Sequence, residues 1–201
     1  MTDWTARWQH TWQALDSPTP PEPVLDALLA RYREPQRHYH TLQHLTECFT
    51  AFDLLRSQSS HPGEIELALW YHDAVYDPQR HDNEALSAAL AVDRLYEAGA
   101  AATVIERVHD LIMATQSHEA GDDPDRAIML DVDLAILGAA PARFADYERQ
   151  IRAEYAHVPD DAYRTGRARV LAGFAARDPL YRTALFHARY ERQAKRNMQH
   201  A

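Results

Sequence analysis

The sequence predicts an all-α protein, a single-domain helical bundle with a central metal site, and three observations carry that expectation. Apolar residues recur at i, i+3, i+4 and i+7 through almost every stretch between turn signals, the period of helices buried on one side. No segment shows the alternation that marks a strand. Three of the helical stretches place imidazoles or carboxylates among apolar neighbours, where a lone charge is rarely tolerated unless a partner or a metal compensates.

Composition sets the bounds. The chain has 201 residues, of which 46% are hydrophobic and 25% charged, the balance of an ordinary globular domain. Its 6 Gly and 11 Pro suit helices joined by short loops. A net charge of −9 argues against a nucleic acid polymer or an anionic membrane as the main partner. A small phosphorylated molecule remains compatible if a metal supplies positive charge locally. Cys48 is the only cysteine, so no internal disulfide forms and a reducing compartment is expected. No apolar run approaches the length of a membrane span and the N-terminus lacks a signal-peptide pattern, so the expectation is a cytoplasmic protein.

In chain order, Trp4, Trp8 and Trp12 form a stripe on one helical face of residues 3–15. This is a docking surface, used either within the chain or in a homodimer. Ser17 to Pro21 breaks that helix, and Val24, Leu25, Leu28, Leu29 and Tyr32 mark the next. His40 and His44 are four apart, so a helix there presents both from one face, with Cys48, Ala51, Phe52 and Leu55 extending the apolar stripe below His44. His38 falls off that face and is expected in solvent. The segment from Gly63 to Asp73 is apolar nearly all round and ends in His72-Asp73. A polar loop follows, with Asp82 or Asn83 capping a helix that Gly99 closes. Residues 101–116 form another helix. Gly121 to Asp125 is acidic but lacks the glycine and distal glutamate of a calcium loop, and is expected to be solvated. Ile128 to Gly138 places Asp131 and Asp133 within a further apolar helix. Three helices complete the chain, at 144–155, 161–177 and 181–198.

Two imidazoles and two carboxylates form a mixed nitrogen and oxygen set, suited to Mn²⁺, Fe²⁺, Co²⁺, Ni²⁺ or Zn²⁺, with Mg²⁺ as a harder alternative. Such an ion acidifies a water and offsets charge on a phosphoryl oxygen, while a nearby uncoordinated histidine protonates the leaving oxygen. One ion shared by the imidazoles of 44 and 72 requires them within about 8 Å of each other, given bonds of ~2 Å.

His44, His72-Asp73 and Asp133, in that order on successive helices, resemble the H…HD…D signature of the HD superfamily of metal-dependent phosphohydrolases. The resemblance is closest to small bacterial HD-domain proteins of roughly this length, and it covers most of the chain. It is carried by Tyr39-His40-x3-His44, His72 to Asp77, Asp82-Asn83-Glu84, Leu130 to Gly138 and Ile151 to Tyr155. It implies one domain with N-terminal helices at 1–35, a metal-site core at 36–138 and C-terminal helices at 139–201. It also implies hydrolysis of a phosphoester of a small metabolite or nucleotide through a metal-activated water; the alternative is a non-catalytic HD module that binds nucleotides or regulates.

Residue by residue, the similarity of Tyr39 to His44 to a segment of cyclic-nucleotide phosphodiesterases assigns His44 to the metal and His40 to proton donation. The competing register exchanges them. Family members place the last ligand directly before leucine, which favours Asp133 over Asp131; the other aspartate then supports the site. Asp77 stands where related guanosine-tetraphosphate hydrolases carry an acidic residue that handles water, but Tyr76 replaces their preceding acid, which speaks against alarmone hydrolysis. Arg37, Glu84 and His118 are the candidate substrate contacts, Arg37 as a bidentate phosphate binder.

Overall fold

The computed structural model describes residues 3–199. Among them are ten α-helices, two short 3-10 segments and no strand, so the fold is all-α. The chain forms two compact units that divide after Leu130.

The first unit holds α1 (Trp4–Ala14), α2 (Glu22–Arg31), α3 (Leu42–Asp53), α4 (Pro62–Tyr71), α5 (Asn83–Glu97), α6 (Ala102–Ser117) and most of α7 (Pro124–Asp133). Helix α4 is its pillar, packed against α1, α3, α5 and α6. Every residue from Gly63 to Tyr71 is buried, as a sequence apolar on all sides requires. Its two glutamates are neutralised where they stand. Glu64 accepts two hydrogen bonds of 2.6 Å from Arg107 of α6, and Glu66 is paired with Arg7 at 2.7 Å and Arg56 at 2.6 Å.

Of the two uses expected for the Trp4/Trp8/Trp12 stripe, docking within the chain is the one observed. Trp8 and Trp12 are buried, and Trp70 of α4 meets Trp4, Trp8 and Phe49 edge-on at ring separations of 5.7, 5.3 and 4.8 Å. The indole N–H of Trp70 donates to the Thr11 hydroxyl at 3.0 Å, so the buried polar atom is satisfied.

Three local expectations change. Helix α3 starts at Leu42, because the Thr41 hydroxyl accepts the Gln43 N–H and caps it, so His40 stands in the preceding loop and the 40/44 pair does not share a helix face. Neither Asp82 nor Asn83 caps α5 with its side chain: Asp82 is held by Arg80 at 2.7 and 2.8 Å, and Asn83 binds the backbone of Asp77. Within the acidic loop, Asp125 is buried rather than solvated, accepting the backbone N–H groups of Ser60 and His61 at 2.8 and 2.9 Å.

The second unit comprises the end of α7, a 3-10 turn at Leu134–Gly138, α8 (Pro141–Glu154), α9 (Asp160–Ala175) and α10 (Ala184–Gln199). The division after Leu130 reflects local packing, since α10 and its approach hold residues 131–139. Asp131 accepts from the N–H groups of Arg182 and Thr183 at 2.9 and 2.7 Å, Tyr181 donates to the carbonyl of Leu134 at 2.9 Å, and Asn197 donates to those of Leu137 and Ala139. Gly138 is required there, since a Cβ would sit 2.5 Å from Cβ of Tyr190. No helix among the described residues is long and apolar enough to cross a membrane.

Truncating the central indole tests the importance of α4. Trp70→Ala is expected to lower the unfolding free energy by about 4 kcal/mol in urea titration, the cost of a large aromatic cavity.

Candidate metal centre

Helix α4 delivers His72 as its C-cap, and the chain then leaves the helical path at Asp73. The Nδ1 of His72 lies 2.9 Å from the carbonyl of Leu69. A carbonyl only accepts, so that nitrogen carries the proton and the Nε2 lone pair faces outward, the orientation that a metal-binding histidine uses. That Nε2 stands 3.2 Å from Nε2 of His44 on α3. Asp73 Oδ2 completes a triangle, 3.3 Å from His44 Nε2 and 3.1 Å from His72 Nε2. Both histidines are buried.

Three polar atoms this close could be bridged by one divalent ion or joined by an N–H of His44. Ligand bonds of about 2.0–2.1 Å, at angles from octahedral to tetrahedral, separate neighbouring donor atoms by about 2.8–3.4 Å. The observed 3.1–3.3 Å edges fall in that interval. The residues therefore fit a divalent ion. Burial raises the affinity of Asp73 for its proton, but the charges of His72 and His40 and the hydrogen bonds of His44 and His72 outweigh it and hold the carboxyl well below the usual carboxylate range.

Aromatic rings wall the cluster. Tyr39 packs against His40 and His44 at 4.9 and 4.7 Å, and His40 stacks on Tyr76 at 4.0 Å. His40 itself is half-buried, its ring 5.8 Å from that of His44.

Arg37 departs from its expected role. Instead of an exposed phosphate binder it is 5% exposed. Its guanidinium donates to the carbonyls of Asp73 at 2.6 Å, Ala74 at 3.1 Å and His40 at 3.2 Å, and to the Glu34 carboxylate at 3.1 Å. The group thus clips the His40 loop to the turn that carries Asp73. Two further side chains fix that turn. The Ser87 hydroxyl accepts the Val75 N–H, and Asn83 binds both the N–H and the carbonyl of Asp77. The Asp77 carboxylate accepts the Gln79 N–H at 2.9 Å.

Asp131, the alternative last ligand, is committed elsewhere. Besides the two backbone donors already described, it accepts the Thr183 hydroxyl at 2.7 Å, so it anchors the start of α10 rather than offering itself to an ion. Burial nonetheless raises its proton affinity, against the pull of those Thr183 and Arg182 bonds. Asp133, half-buried, is the last residue of α7. Glu84 is half-buried in the first turn of α5, and His118 closes α6 in the left-handed conformation with φ +53°.

Cys48, the only cysteine, adjoins the cluster. Its buried sulfur lies 3.6 Å from Nε2 and 3.7 Å from Nδ1 of His44, and His44, Cys48 and His72 offer ligand atoms within 4.8 Å of one another. The signal was present in the sequence as the four-residue step from His44 to Cys48.

Comparison with protein-family models, with curated proteins and with solved structures finds no match.

Two outcomes test this geometry. Arg37→Ala is expected to cost about 3 kcal/mol in stability, because it orphans several buried carbonyls at once. A carboxyl whose pKa is depressed by folding stabilises the native state above its unfolded value, and that gain disappears as pH falls through the native one. The stability difference between metal-free wild type and Asp73→Asn, followed by urea midpoints, should therefore hold above about pH 4 and shrink below it.

Proposed function

We propose that this protein is a metal-dependent phosphohydrolase that cleaves a phosphoester of a small metabolite or nucleotide. The observation that supports this reading is the triangle formed by His44 Nε2, His72 Nε2 and Asp73 Oδ2, with edges of 3.1–3.3 Å. The H…HD…D order of these residues and its resemblance to the HD superfamily supply the reaction class. His44, His72 and Asp73 hold the ion in this reading, and the resemblance names Asp133 over Asp131 as the last ligand.

When bound, a divalent ion there acidifies water and offsets phosphoryl charge. The chain's own groups do the rest. His40, beside His44 but outside the triangle, carries a proton to the leaving oxygen, and its stack on Tyr76 fixes the plane from which that proton is delivered. Asp77, held by Asn83 on a braced turn, accepts a proton from the attacking water. Arg37 acts on the site by fixing the backbone on either side of it and not by touching phosphate. Glu84 and His118 are retained as substrate contacts. A reducing, cytoplasmic setting suits the buried thiol.

Metal analysis of the purified chain, combined with a panel of phosphomonoesters and phosphodiesters, tests the reading. Wild type should carry a transition metal and turn over at least one phosphoester. The His72→Ala/Asp73→Ala double variant should lose the metal and at least ~100-fold of the rate. Full activity in the double variant, with no metal in wild type, would overturn it. Nucleotide binding without product would favour the non-catalytic module instead.

A further inference from the structure

Helices α8 and α10 both pack on the 3-10 turn at Leu134–Gly138, and their outer surfaces leave a groove between them. Two hollows of about 750 and 740 Å³ adjoin along it, sharing Gln193 and Arg196. Pro141, Phe144 and Ala145 of α8 give the groove an apolar side, while Arg149, Arg189, Arg192 and Arg196 follow its length. The second unit, which holds this groove, carries twelve basic and nine acidic side chains, a balance of +3 in a chain of −9.

The charges lining the groove do not cancel. Its carboxylates are already engaged: Glu148 accepts from Arg167 at 3.2 Å, and Glu191 accepts the N–H groups of Leu180 and Tyr181 at 3.0 Å. Arg149 is paired only with Asp146, one turn earlier on its own helix. Arg189 and Arg192 are exposed and meet no carboxylate among the described residues. Arg196 is exposed too, yet it is held in place. Its guanidinium donates to Gln193 at 2.7 Å, Gln193 donates to Asn197 at 2.7 Å, and Asn197 is fixed on the carbonyls of Leu137 and Ala139. A guanidinium set in this way loses little side-chain freedom on meeting an anion.

We propose that this groove docks an acidic peptide segment of a partner protein, with its carboxylates against Arg189, Arg192 and Arg196 and an apolar side chain on Pro141 and Ala145. The three arginines recur once per turn of α10, over about 10 Å of helix axis. Planar guanidinium groups take carboxylates in bidentate pairs, so the row offers a peptide several such contacts in register. Two observations favour a peptide over a nucleic acid. Exposed Pro141 and Ala145 supply apolar surface that a phosphate backbone does not use. The net charge of −9 opposes the long-range attraction of a polyanion, whereas a short peptide meets only the local field of the groove.

The test follows the full chain by fluorescence anisotropy with a labelled synthetic peptide in which leucines interrupt a run of glutamates. Saturable binding is expected, weakening as salt rises. The Arg192→Glu/Arg196→Glu variant should bind at least about tenfold more weakly, because the reversed charges repel the peptide. The matching glutamine peptide should bind wild type more weakly to a similar degree, an outcome that does not depend on any variant folding. Arg164→Glu, an exposed site on α9 outside the groove, should change affinity by less than about twofold. Absence of binding by wild type, full binding by the double variant, or equal weakening by Arg164→Glu overturns the proposal. Displacement of the peptide by a more tightly bound single-stranded oligonucleotide overturns it in favour of a nucleic acid. Self-association of the chain that the double variant abolishes overturns it in favour of a second copy.

Discussion

The carbonyl of Leu69 holds the Nδ1 proton of His72, and that bond fixes which nitrogen faces His44 and Asp73. With Nδ1 protonated, neutral His72 presents a lone pair at Nε2, toward His44 and Asp73. The carboxylate adds a formal charge to the same small volume. Such an arrangement repels itself unless something positive is shared, either a proton or a cation. The depressed proton affinity of Asp73 reflects the other option, protonated histidines beside it, whose charge overrides the penalty of burial. Most of the first unit holds these three groups in place.

Helix α4 illustrates how. A helix that is apolar on every side has no amphipathic stripe to fix its rotation, so hydrophobic burial alone would tolerate several orientations. Its charged and polar residues supply the missing reference. Glu64 is gripped by Arg107 from α6, Glu66 by Arg7 from α1 and by Arg56. Trp70 is bonded to Thr11 through its indole and to the Tyr32 hydroxyl through its carbonyl. With rotation set by these anchors, His72 emerges at the end of the helix in one direction. Arg37 then fixes the turn beyond it, flanked by the rings of Tyr32 and Tyr76 at 5.3 and 5.5 Å. Breaking a buried charged pair exposes the partner's full desolvation cost, so these anchors restrict both the fold and the site.

What was legible in the sequence was local. The helical period located ten helices to within a few residues, and the apolar run ending in His72-Asp73 marked the centre, because a carboxylate delivered by a buried helix has no cheap explanation. What was illegible depended on atoms distant along the chain. Arg37 reads as a surface residue beside a proline turn; it is buried because carbonyls at 73 and 74, more than thirty positions away, need donors. Asp131 is spent on the backbone at 182 and 183. His40 misses the helix of His44 through the capping of a single threonine. Cys48 reads as one more apolar position of the α3 stripe, and its contact with His44 emerges only with the helix.

The pair at Asp131 and Asp133 shows how a nonlocal contact resolves a local ambiguity. Residues two apart on a helix point in nearly opposite directions, so the two carboxylates cannot serve one site together. Sequence alone offers either as the ligand. The three donors at the start of α10 claim Asp131 and thereby fix the rotation of the last turn of α7 within its own unit. The anchoring of Asp131 is thus a product of the packing of α10, which would have to give up three donors to release it.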